Sequence, residues 1–498
     1  MESTIHPHRI VAKRDPMIYG QFLEHFHRQI YGGVYEPESA LSDDTGFRTD
    51  VIEALKNIHV PIVRWPGGCF VSSYHWYKGV GERVHSFDKA WRVDDPNTFG
   101  TDEFVTWCRR LGCEPYICTN AGTGTAEEMS DWMEYCNLPA DQGEFSRIRA
   151  ANGHTEPFNV KYWSIGNENY GAWEIGAKDS HEWSRLVTES AKMLQHVDPT
   201  AELSAAALTD IDWNVSLLKL AGPYLNWISI HAYWDPLFHE DKPASYVKCM
   251  SYTRDLEAPV RKVRGLLAAM GYEKSIRIAF DEWNLRGWHH PNAHTIYQGR
   301  TPEEYLIPRN RNDINATYTM ADAVFTACVL NMFLRNADIV GMANYSPVVN
   351  TRGLVYVHKD GIVKRSTYYV FELYTHDLFD EVLDLYCERA NTMVAEDVEI
   401  ETIDCVATRD SASKTIGVSL VNKHPSQTCE IVLHIPHYTA VKMRTVNGKD
   451  PDDYNDVDRE PITIRENASY FQTDSGELRI TLEPHSVNMI TLLPSCKD

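Results

Sequence analysis

Short apolar runs alternate with longer amphipathic stretches between about residues 17 and 380. A short apolar run bounded by turn residues is typical of a buried strand, whereas apolar residues spaced three or four positions apart are typical of a helix. Repetition of this pair predicts parallel strands joined by helices, and eight such pairs suit a (β/α)8 TIM barrel. The predicted strands are 17–22, 61–65, 114–119, 161–166, 202–207, 227–231, 277–281 and 339–345, and the predicted helices include 103–111, 126–136, 180–196 and 316–335.

The pattern changes near residue 383. Short β-rich runs follow at 415–421, 430–434, 441–445, 461–464, 478–481 and 487–492, with turn residues such as Asn447 and Gly448 between them. This predicts a C-terminal all-β sandwich. Residues 5–13 also resemble a strand that could pair with the sandwich. The predicted domains are therefore 1–16, an N-terminal strand joining the sandwich; 17–383, the catalytic barrel; and 384–498, the sandwich.

Two glutamates stand at the ends of predicted barrel strands. Glu168 follows the strand at 161–166, and Glu282 follows the strand at 277–281. Side chains at the carboxyl ends of barrel strands face the catalytic mouth. A pair of carboxyl groups is what glycoside hydrolysis requires, since one donates a proton to the leaving oxygen and the other attacks or stabilises the anomeric carbon. A lone glutamate at a strand end is more often solvated or ion-paired, but two such residues, with Asn167 and Trp283 beside them, predict an active site.

The motifs around these glutamates resemble those of a known family, the α-L-arabinofuranosidases of glycoside hydrolase family 51. The resemblance covers nearly the whole chain, in order. It implies a TIM barrel with a C-terminal sandwich, and a retaining, exo-acting enzyme that releases terminal L-arabinofuranose from arabinan- and arabinoxylan-derived oligosaccharides. The residues that carry it are Gly166-Asn167-Glu168, Phe280-Asp281-Glu282-Trp283-Asn284, and the segments 18–25, 30–33, 64–70 and 446–462.

The same resemblance implies roles for the residues nearest the chemistry. It makes Glu168 the general acid/base and Glu282 the nucleophile. Asn167 would hydrogen-bond the 2-hydroxyl of the sugar, a contact that strengthens in the transition state. Arg64 would lie beneath the nucleophile and keep it ionised, and Tyr233 would orient it.

A second group of residues is implied to line or support the sugar pocket. Glu24 would accept hydrogen bonds from furanose hydroxyls, and His231 would support the catalytic carboxyls. Cys69 would be a weak polar contact, although a buried structural thiol is equally expected. The glutamine that the family carries near the last barrel strand is not evident here, and Asn350, or Asn344, is the predicted substitute. Trp288 is predicted to stack on a sugar, and for this residue, as for Trp91 and Trp234, packing is equally expected.

The bulk composition excludes several functional classes. The chain has 498 residues, 43% of them hydrophobic and 24% charged, and a formal net charge of −22. This charge argues against binding to nucleic acid or to anionic membranes, because both require clustered Lys and Arg. No stretch approaches the roughly 18–20 apolar residues of a membrane span. The first eight residues show no secretory signal, and the 11 cysteines lack CxxC spacing, which predicts a cytoplasmic protein with reduced thiols.

No cofactor or metal is expected. His289, His290 and His294 lack a carboxylate at ligand spacing, so we interpret them as solvated or substrate-lining residues. The expected partners are arabinose-containing oligosaccharides and further copies of the chain, with a hexamer implied by the resemblance. Two alternatives remain: another glycosidase of the same barrel clan, such as a β-xylosidase, β-glucosidase or endoglucanase, and a catalytically silent carbohydrate-binding protein. The preference among 1,2, 1,3 and 1,5 linkages is open.

Overall fold

The computed structural model describes residues 1–237, 242–287, 313–388, 392–473 and 477–495. The strands in this part of the chain are β1 (Glu2–Lys13), β2 (Gly20–Phe22), β3 (Ile62–Trp65), β4 (Ser86–Asp88), β5 (Val93–Asp95), β6 (Glu114–Thr119), β7 (Tyr162–Ile165), β8 (Glu202–Ala206), β9 (Trp227–Asp235), β10 (Arg277–Arg286), β11 (Val340–Tyr345), β12 (Val355–His358), β13 (Gly361–Lys364), β14 (Glu381–Cys387), β15 (Thr392–Ala395), β16 (Val398–Glu401), β17 (Ile403–Arg409), β18 (Ile416–Asn422), β19 (Cys429–His434), β20 (Tyr438–Val446), β21 (Ile464–Glu466), β22 (Tyr470–Gln472), β23 (Glu477–Leu482) and β24 (Ser486–Pro494).

The α-helices of the same ranges are α1 (Thr49–Asn57), α2 (Thr101–Leu111), α3 (Ala126–Asn137), α4 (Phe145–Ala151), α5 (Ser180–Val197), α6 (Ile211–Ala221), α7 (Tyr246–Ser251), α8 (Ala258–Ala269), α9 (Met320–Arg335) and α10 (Ser366–Asp377). Short 3-10 helices lie at Pro16–Tyr19, Cys69–Ser73, Trp76–Gly79, Gly222–Tyr224, Tyr252–Asp255 and Asn315–Thr317. None of these helices combines the length and the apolar character needed to cross a membrane.

Eight parallel strands close into a barrel in the order β10-β11-β2-β3-β6-β7-β8-β9. Every residue of β3, β7 and β11 is buried. Strands covered on both faces are mostly apolar, here interrupted by Arg64 in β3, Ser164 in β7 and Asn344 in β11, which is why apolar runs in the sequence predict them well. The predicted TIM barrel is confirmed, and each of its eight strands overlaps one predicted strand.

Three strands differ in length from the prediction by three residues or more. The first begins only at Gly20, because residues 16–19 form a 3-10 turn in which the Asp15 carboxylate accepts a hydrogen bond from the Met17 N–H. Strands β9 and β10 continue further than predicted, to Asp235 and Arg286, and stay paired with each other to their ends. This extension places Glu282 and Tyr233 within paired strands, although the register shifts between Ala279 and Glu282. Strand pairing holds their side chains more rigidly than a loop would.

The remaining large sheet has ten strands in the order β21-β20-β24-β18-β17-β14-β1-β19-β23-β22. Strand β1 pairs antiparallel with β14 and parallel with β19, so the beginning of the chain lies inside this sheet. The sheet has its own hydrophobic core, which includes Ile5, Leu420, Ile431 and Ile480. The predicted sandwich is therefore confirmed as a β-rich C-terminal unit. The exact domain boundaries stay a prediction.

Helix α9 lies between the barrel and the ten-stranded sheet. All of its residues from Met320 to Leu334 are buried, as expected of a helix that is apolar on every side. Asn331 Nδ2 donates to Asp404 Oδ1 at 2.7 Å, which ties the helix to β17. The helix begins later than predicted because Thr319 and Asp322 form a capping box there.

Candidate active site

The polar cluster of the barrel lies at the carboxyl ends of its strands. Its members are Glu24 after β2, Arg64 in β3, Asn167 and Glu168 after β7, His231 and Tyr233 in β9, and Asp281 and Glu282 in β10. The strand register places Glu282 directly beside His231. Residues far apart in the sequence are thus brought together by the closure of the barrel.

Both oxygens of Glu282 are held by side chains. Arg64 Nη1 donates to Oε2 at 2.9 Å, and the Tyr233 hydroxyl donates to Oε1 at 2.6 Å. The Tyr233 oxygen is also 2.9 Å from Ser346 Oγ. The side chain of Glu282 is only 6% exposed. A carboxylate that is fixed at both oxygens and paired with a buried cation is suited to act as a nucleophile.

Glu168 is held in a different way. His231 Nδ1 lies 2.8 Å from Oε1, and Trp173 Nε1 donates to Oε2 at 2.8 Å. Glu168 has a positive φ of 44°, which follows the turn made by Gly166. Burial raises the pKa of Glu168, but the hydrogen bonds and charge of His231, together with the Trp173 contact, outweigh burial and lower it. In the free enzyme Glu168 is therefore a carboxylate paired with an imidazolium.

His231 lies among three carboxylates. Besides Glu168, its Nδ1 is 3.6 Å from Glu282 Oε2, and its Nε2 is 3.4 Å from Asp281 Oδ1. Burial alone lowers the pKa of His231, but these three neighbours raise it to about 10. His231 is then protonated at neutral pH. Its imidazolium stores a proton beside Glu168.

Arg64 and Asp281 organise the floor of the site. Arg64 Nη2 donates to Asn167 Oδ1 at 2.7 Å, and its Nε lies 3.7 Å from Asp281 Oδ2. Asp281 in turn accepts hydrogen bonds from the Tyr116 hydroxyl at 2.7 Å and from Ser229 Oγ at 2.6 Å. Because Asn167 Oδ1 is occupied by Arg64, its Nδ2 is the atom left to donate into the site.

Glu24 is a further carboxyl group of this cluster. Its Oε1 accepts from the backbone N–H of Gly68 at 2.9 Å, from that of Phe70 at 3.2 Å and from Trp91 Nε1 at 3.1 Å. Burial and the charge of Glu282 outweigh these donors and raise the pKa of Glu24 to about 8.

Two glycines leave room for these groups. Gly67 has a φ of 148°, and a Cβ atom there would lie 2.2 Å from Glu24 Cγ. A Cβ atom on Gly68 would lie 3.3 Å from Glu282 Oε2, 3.5 Å from Glu24 Oε1 and 3.6 Å from Asn167 Nδ2. The three polar groups therefore converge on one space above Gly68, which the lack of a side chain at this position keeps open.

Comparison with known proteins decides the family. A family model for the α-L-arabinofuranosidase 1 domain matches residues 54–250, and one for the α-L-arabinofuranosidase C-terminal domain matches residues 281–486. The chain is 36% identical over 392 residues to α-L-arabinofuranosidase C of Emericella nidulans, covering 75% of this chain and 74% of that protein. It is 30% identical to an intracellular exo-α-(1→5)-L-arabinofuranosidase of Halalkalibacterium halodurans, covering 97% of both. The solved GH51 α-L-arabinofuranosidase of Thermotoga petrophila superposes with a TM-score of 0.85 at 31% identity, covering 98% of this chain and 99% of that one. The chain belongs to the α-L-arabinofuranosidases of glycoside hydrolase family 51.

The arabinofuranosidase brings together most of the residues that the sequence singles out. Seven of them form the cluster described above: Glu24, Arg64, Asn167, Glu168, His231, Tyr233 and Glu282. Cys69 lies at its border, with one atom each of Cys69, Glu168 and Glu174 within 4.8 Å of one another. Burial and the neighbouring carboxylates raise the pKa of the Cys69 thiol well above its usual value, so the thiol is neutral.

Asn350 is not brought into this cluster. Its Nδ2 donates to the backbone oxygens of Arg28 and Gly32, and its Oδ1 accepts from the Val357 N–H at 2.7 Å. Asn344 likewise donates to the Gln21 oxygen at 2.8 Å. In the structure the Asn350 amide is thus used to join three backbone segments. Whether it contacts the sugar stays a prediction.

Of the tryptophans and histidines considered in the sequence analysis, only some lie within the described residues. Trp91 supports Glu24, as described, and Trp234 packs edge-on against Phe325 with ring centroids 4.9 Å apart. Trp288, with His289, His290 and His294, lies outside the described residues, so its predicted stacking role remains a prediction.

Three site residues were missed by the sequence reasoning. Trp173 and Glu174 follow Glu168 within six positions, and Asp281 precedes Glu282, so closeness in sequence to a catalytic glutamate was the available signal. This signal is weak, because the sequence does not show the shape of the turn that separates Trp173 from Glu168.

Within the described part of the arabinofuranosidase, two sets of side chains have spacing that suits a metal ion: Cys69, Glu168 and Glu174, and Glu168, His231 and Glu282. Both include Glu168, whose oxygens already contact His231 and Trp173. The expectation of a metal-free reaction stays a prediction.

Proposed function

We propose that this arabinofuranosidase is a retaining enzyme that uses Glu282 as the nucleophile and Glu168 as the general acid/base. The observation that carries this proposal is a distance: an oxygen of Glu168 and an oxygen of Glu282 lie within 4.8 Å of each other and of a His231 nitrogen. Retaining enzymes place their two carboxyl groups about 5–5.5 Å apart, whereas inverting enzymes need roughly 6.5–9.5 Å to admit water. The short separation favours retention.

In the first step, Glu282 attacks C1 of the arabinofuranose as the bond from C1 to the leaving oxygen breaks. Glu168 supplies the proton to that oxygen. The proton is available because His231 holds it at Nδ1, 2.8 Å from Glu168 Oε1. Transfer across this hydrogen bond turns Glu168 into the acid that the departing group requires.

In the second step, Glu168 accepts a proton from water as the water oxygen bonds to C1. The bond between C1 and Glu282 breaks, and the carboxylate returns to its contacts with Arg64 and Tyr233. The proton given up in the first step is recovered in the second. Two inversions at C1 give a product with retained configuration.

We further propose that the enzyme is exo-acting on the non-reducing end. Glu24, Asn167 and Glu282 surround one small space, and polar groups so placed suit the hydroxyls of a single terminal sugar. The relative from H. halodurans is named as an intracellular exo-α-(1→5) enzyme, which supports α-(1→5)-linked arabinose oligosaccharides as substrates and a cytoplasmic location. Assembly into a homo-oligomer, a hexamer, is part of the same proposal.

The decisive experiment is proton NMR of the first-formed product from an aryl α-L-arabinofuranoside. Release of α-L-arabinofuranose before mutarotation supports retention, and initial release of the β anomer would contradict it. Aryl β-xyloside and aryl β-glucoside serve as controls, because preferential cleavage of either would favour the other glycosidases of the barrel clan. Activity on α-(1→5)-arabino-oligosaccharides blocked at the non-reducing end would contradict exo action.

A further inference from the structure

Glu174 is a third buried carboxyl group that the mechanism above does not use. It is 5% exposed and lies on the loop after β7 that also carries Asn167 and Glu168. Backbone hydrogen bonds shape the loop: the Gly171 N–H donates to the backbone carbonyl oxygen of Glu168 at 2.7 Å, and the Glu174 N–H donates to the backbone carbonyl oxygen of Gly171 at 3.0 Å. Glu174 is thus turned back towards the acid/base residue by a rigid connection.

The Glu174 side chain contacts the Asn167 amide. Asn167 Nδ2 donates to Glu174 Oε2 at 3.3 Å, while Asn167 Oδ1 accepts from Arg64 Nη2 at 2.7 Å. The amide is therefore held at both ends. An amide nitrogen has two N–H groups, and one of them is used by Glu174. The other is left for the space above Gly68, where a Cβ atom would lie 3.6 Å from Nδ2.

The surroundings of Glu174 favour its neutral form. Burial raises the pKa of Glu174 to about 8, and the charge of Glu168 adds to this effect, against hydrogen bonds with Ser72, Cys69 and Asn167. The neighbouring thiol of Cys69 is itself neutral. A neutral carboxylic acid can accept from Asn167 without adding a second negative charge beside Glu168. A glutamine side chain has the same shape as a neutral glutamic acid and also carries an oxygen that can accept from Asn167. Glutamine should therefore be able to replace Glu174.

We propose that Glu174 is a positioning residue of the reaction: it fixes the Asn167 amide so that the second N–H of Nδ2 meets the 2-hydroxyl of the bound arabinofuranose. This inference rests on the proposed contact of Asn167 with the 2-hydroxyl. A hydrogen bond to that hydroxyl strengthens as the transition state forms, so its loss lowers kcat more than it raises KM. Glu174 acts on the substrate only through Asn167.

The test compares the full-length enzyme with Glu174→Ala and Glu174→Gln on aryl α-L-arabinofuranoside and on its 2-deoxy and 3-deoxy analogues. Glu174→Ala should lower kcat/KM about 10–100-fold on the parent and 3-deoxy sugars but less than about threefold on the 2-deoxy sugar, because the contact it supports is then absent. Glu174→Gln should recover most of the loss. An equal loss in Glu174→Ala on the parent and 2-deoxy sugars, or an equal loss in both variants, would overturn the proposal.

Asn167→Ala is measured in the same way to separate the two hypotheses. If its loss does not depend on the 2-hydroxyl, the proposed role of Asn167 fails, and the inference on Glu174 fails with it. If Asn167 shows the dependence and Glu174 does not, only the inference fails. Should Glu174→Ala not fold, Glu174→Asp withdraws the oxygen by one methylene, and its loss must show the same dependence on the 2-hydroxyl.

Discussion

His231 Nδ1 lies 2.8 Å from Oε1 of Glu168. Each residue stabilises the charge of the other, so the pKa of His231 is raised to about 10 and that of Glu168 is lowered. The proton needed for departure of the leaving group therefore belongs to the pair and not to Glu168 alone. This arrangement reconciles an ionised Glu168 in the free enzyme with its proposed role as an acid.

This pair makes stability depend on pH. Folding raises the pKa of His231 from 6.5 to about 10, so its protonated form stabilises the folded protein fully below pH 6.5, and that stabilisation is lost as the pH rises to about 10. The difference in Tm between the wild type and His231→Asn should be largest near pH 6 and narrow towards pH 10. Thermal denaturation followed by circular dichroism measures it. The exposed His8→Asn serves as the control, and a constant difference across this range would argue against the pairing.

Glu282→Ala should abolish hydrolysis and leave folding intact, because only the nucleophile is lost. Azide or formate should enter the vacated space and restore turnover of aryl arabinofuranosides, with inverted product. Chromatography and NMR of the product check this, with circular dichroism as the folding control. Activity near that of the wild type would show that another group attacks C1.

Glu168→Ala should discriminate between leaving groups. Its proton matters most when the leaving group is poor, so the loss should be far larger on arabino-oligosaccharides than on a dinitrophenyl arabinofuranoside. The measurement is kcat/KM on both substrates. Equal losses would mean that Glu168 binds sugar or supports the fold instead.

Asn350→Ala should lower stability without changing substrate affinity. The side chain makes three contacts to backbone groups, and Asn350 has a positive φ of 52°, a conformation that Asn tolerates better than Ala. We expect a loss of about 2–4 kcal/mol in the free energy of unfolding, since buried backbone groups lose their partners. Denaturant titration measures this. A large rise in KM with unchanged stability would place Asn350 in the sugar pocket.

Removal of metals should leave activity unchanged. EDTA followed by desalting is the treatment, and dithiothreitol is a parallel treatment, since all ten cysteines in the described ranges are free thiols. Inhibition by EDTA that added metal reverses would show that the carboxylates near His231, or His289, His290 and His294, bind an ion that the reaction needs.

The barrel and the catalytic pair could be predicted from the sequence because their signals are local. Buried strands such as β7 are mostly apolar, with Ser164 as the one polar residue of β7, and Glu168 and Glu282 stand directly after or within such runs. The length of β10 could not be predicted, because Glu282, Asn284 and Arg286 interrupt the apolar pattern although the structure buries them. The end of β9 likewise follows from its pairing with β10 up to Asp235.

The contacts of Glu174 and Trp173 also could not be predicted from the sequence. They depend on how the loop after β7 turns back on itself. Backbone hydrogen bonds set this turn, such as that from the Gly171 N–H to the carbonyl oxygen of Glu168. Asn350 is a residue to which the sequence analysis assigns a role and for which the structure shows different contacts. The resemblance implies that Asn350 replaces the family's glutamine at the sugar; in the structure its amide has backbone partners, and the sugar contact stays a prediction.

The position of β1 constrains how the protein is made. This strand precedes the barrel in the chain, yet its partners, β14 and β19, are synthesised only after the whole barrel. Until then its backbone N–H and C=O groups have no sheet to join, and the ten-stranded sheet lacks a central strand. The ten-stranded sheet therefore cannot be completed before β19 has been synthesised, and nascent chains released before β19 should expose an unpaired strand edge that chaperones can bind.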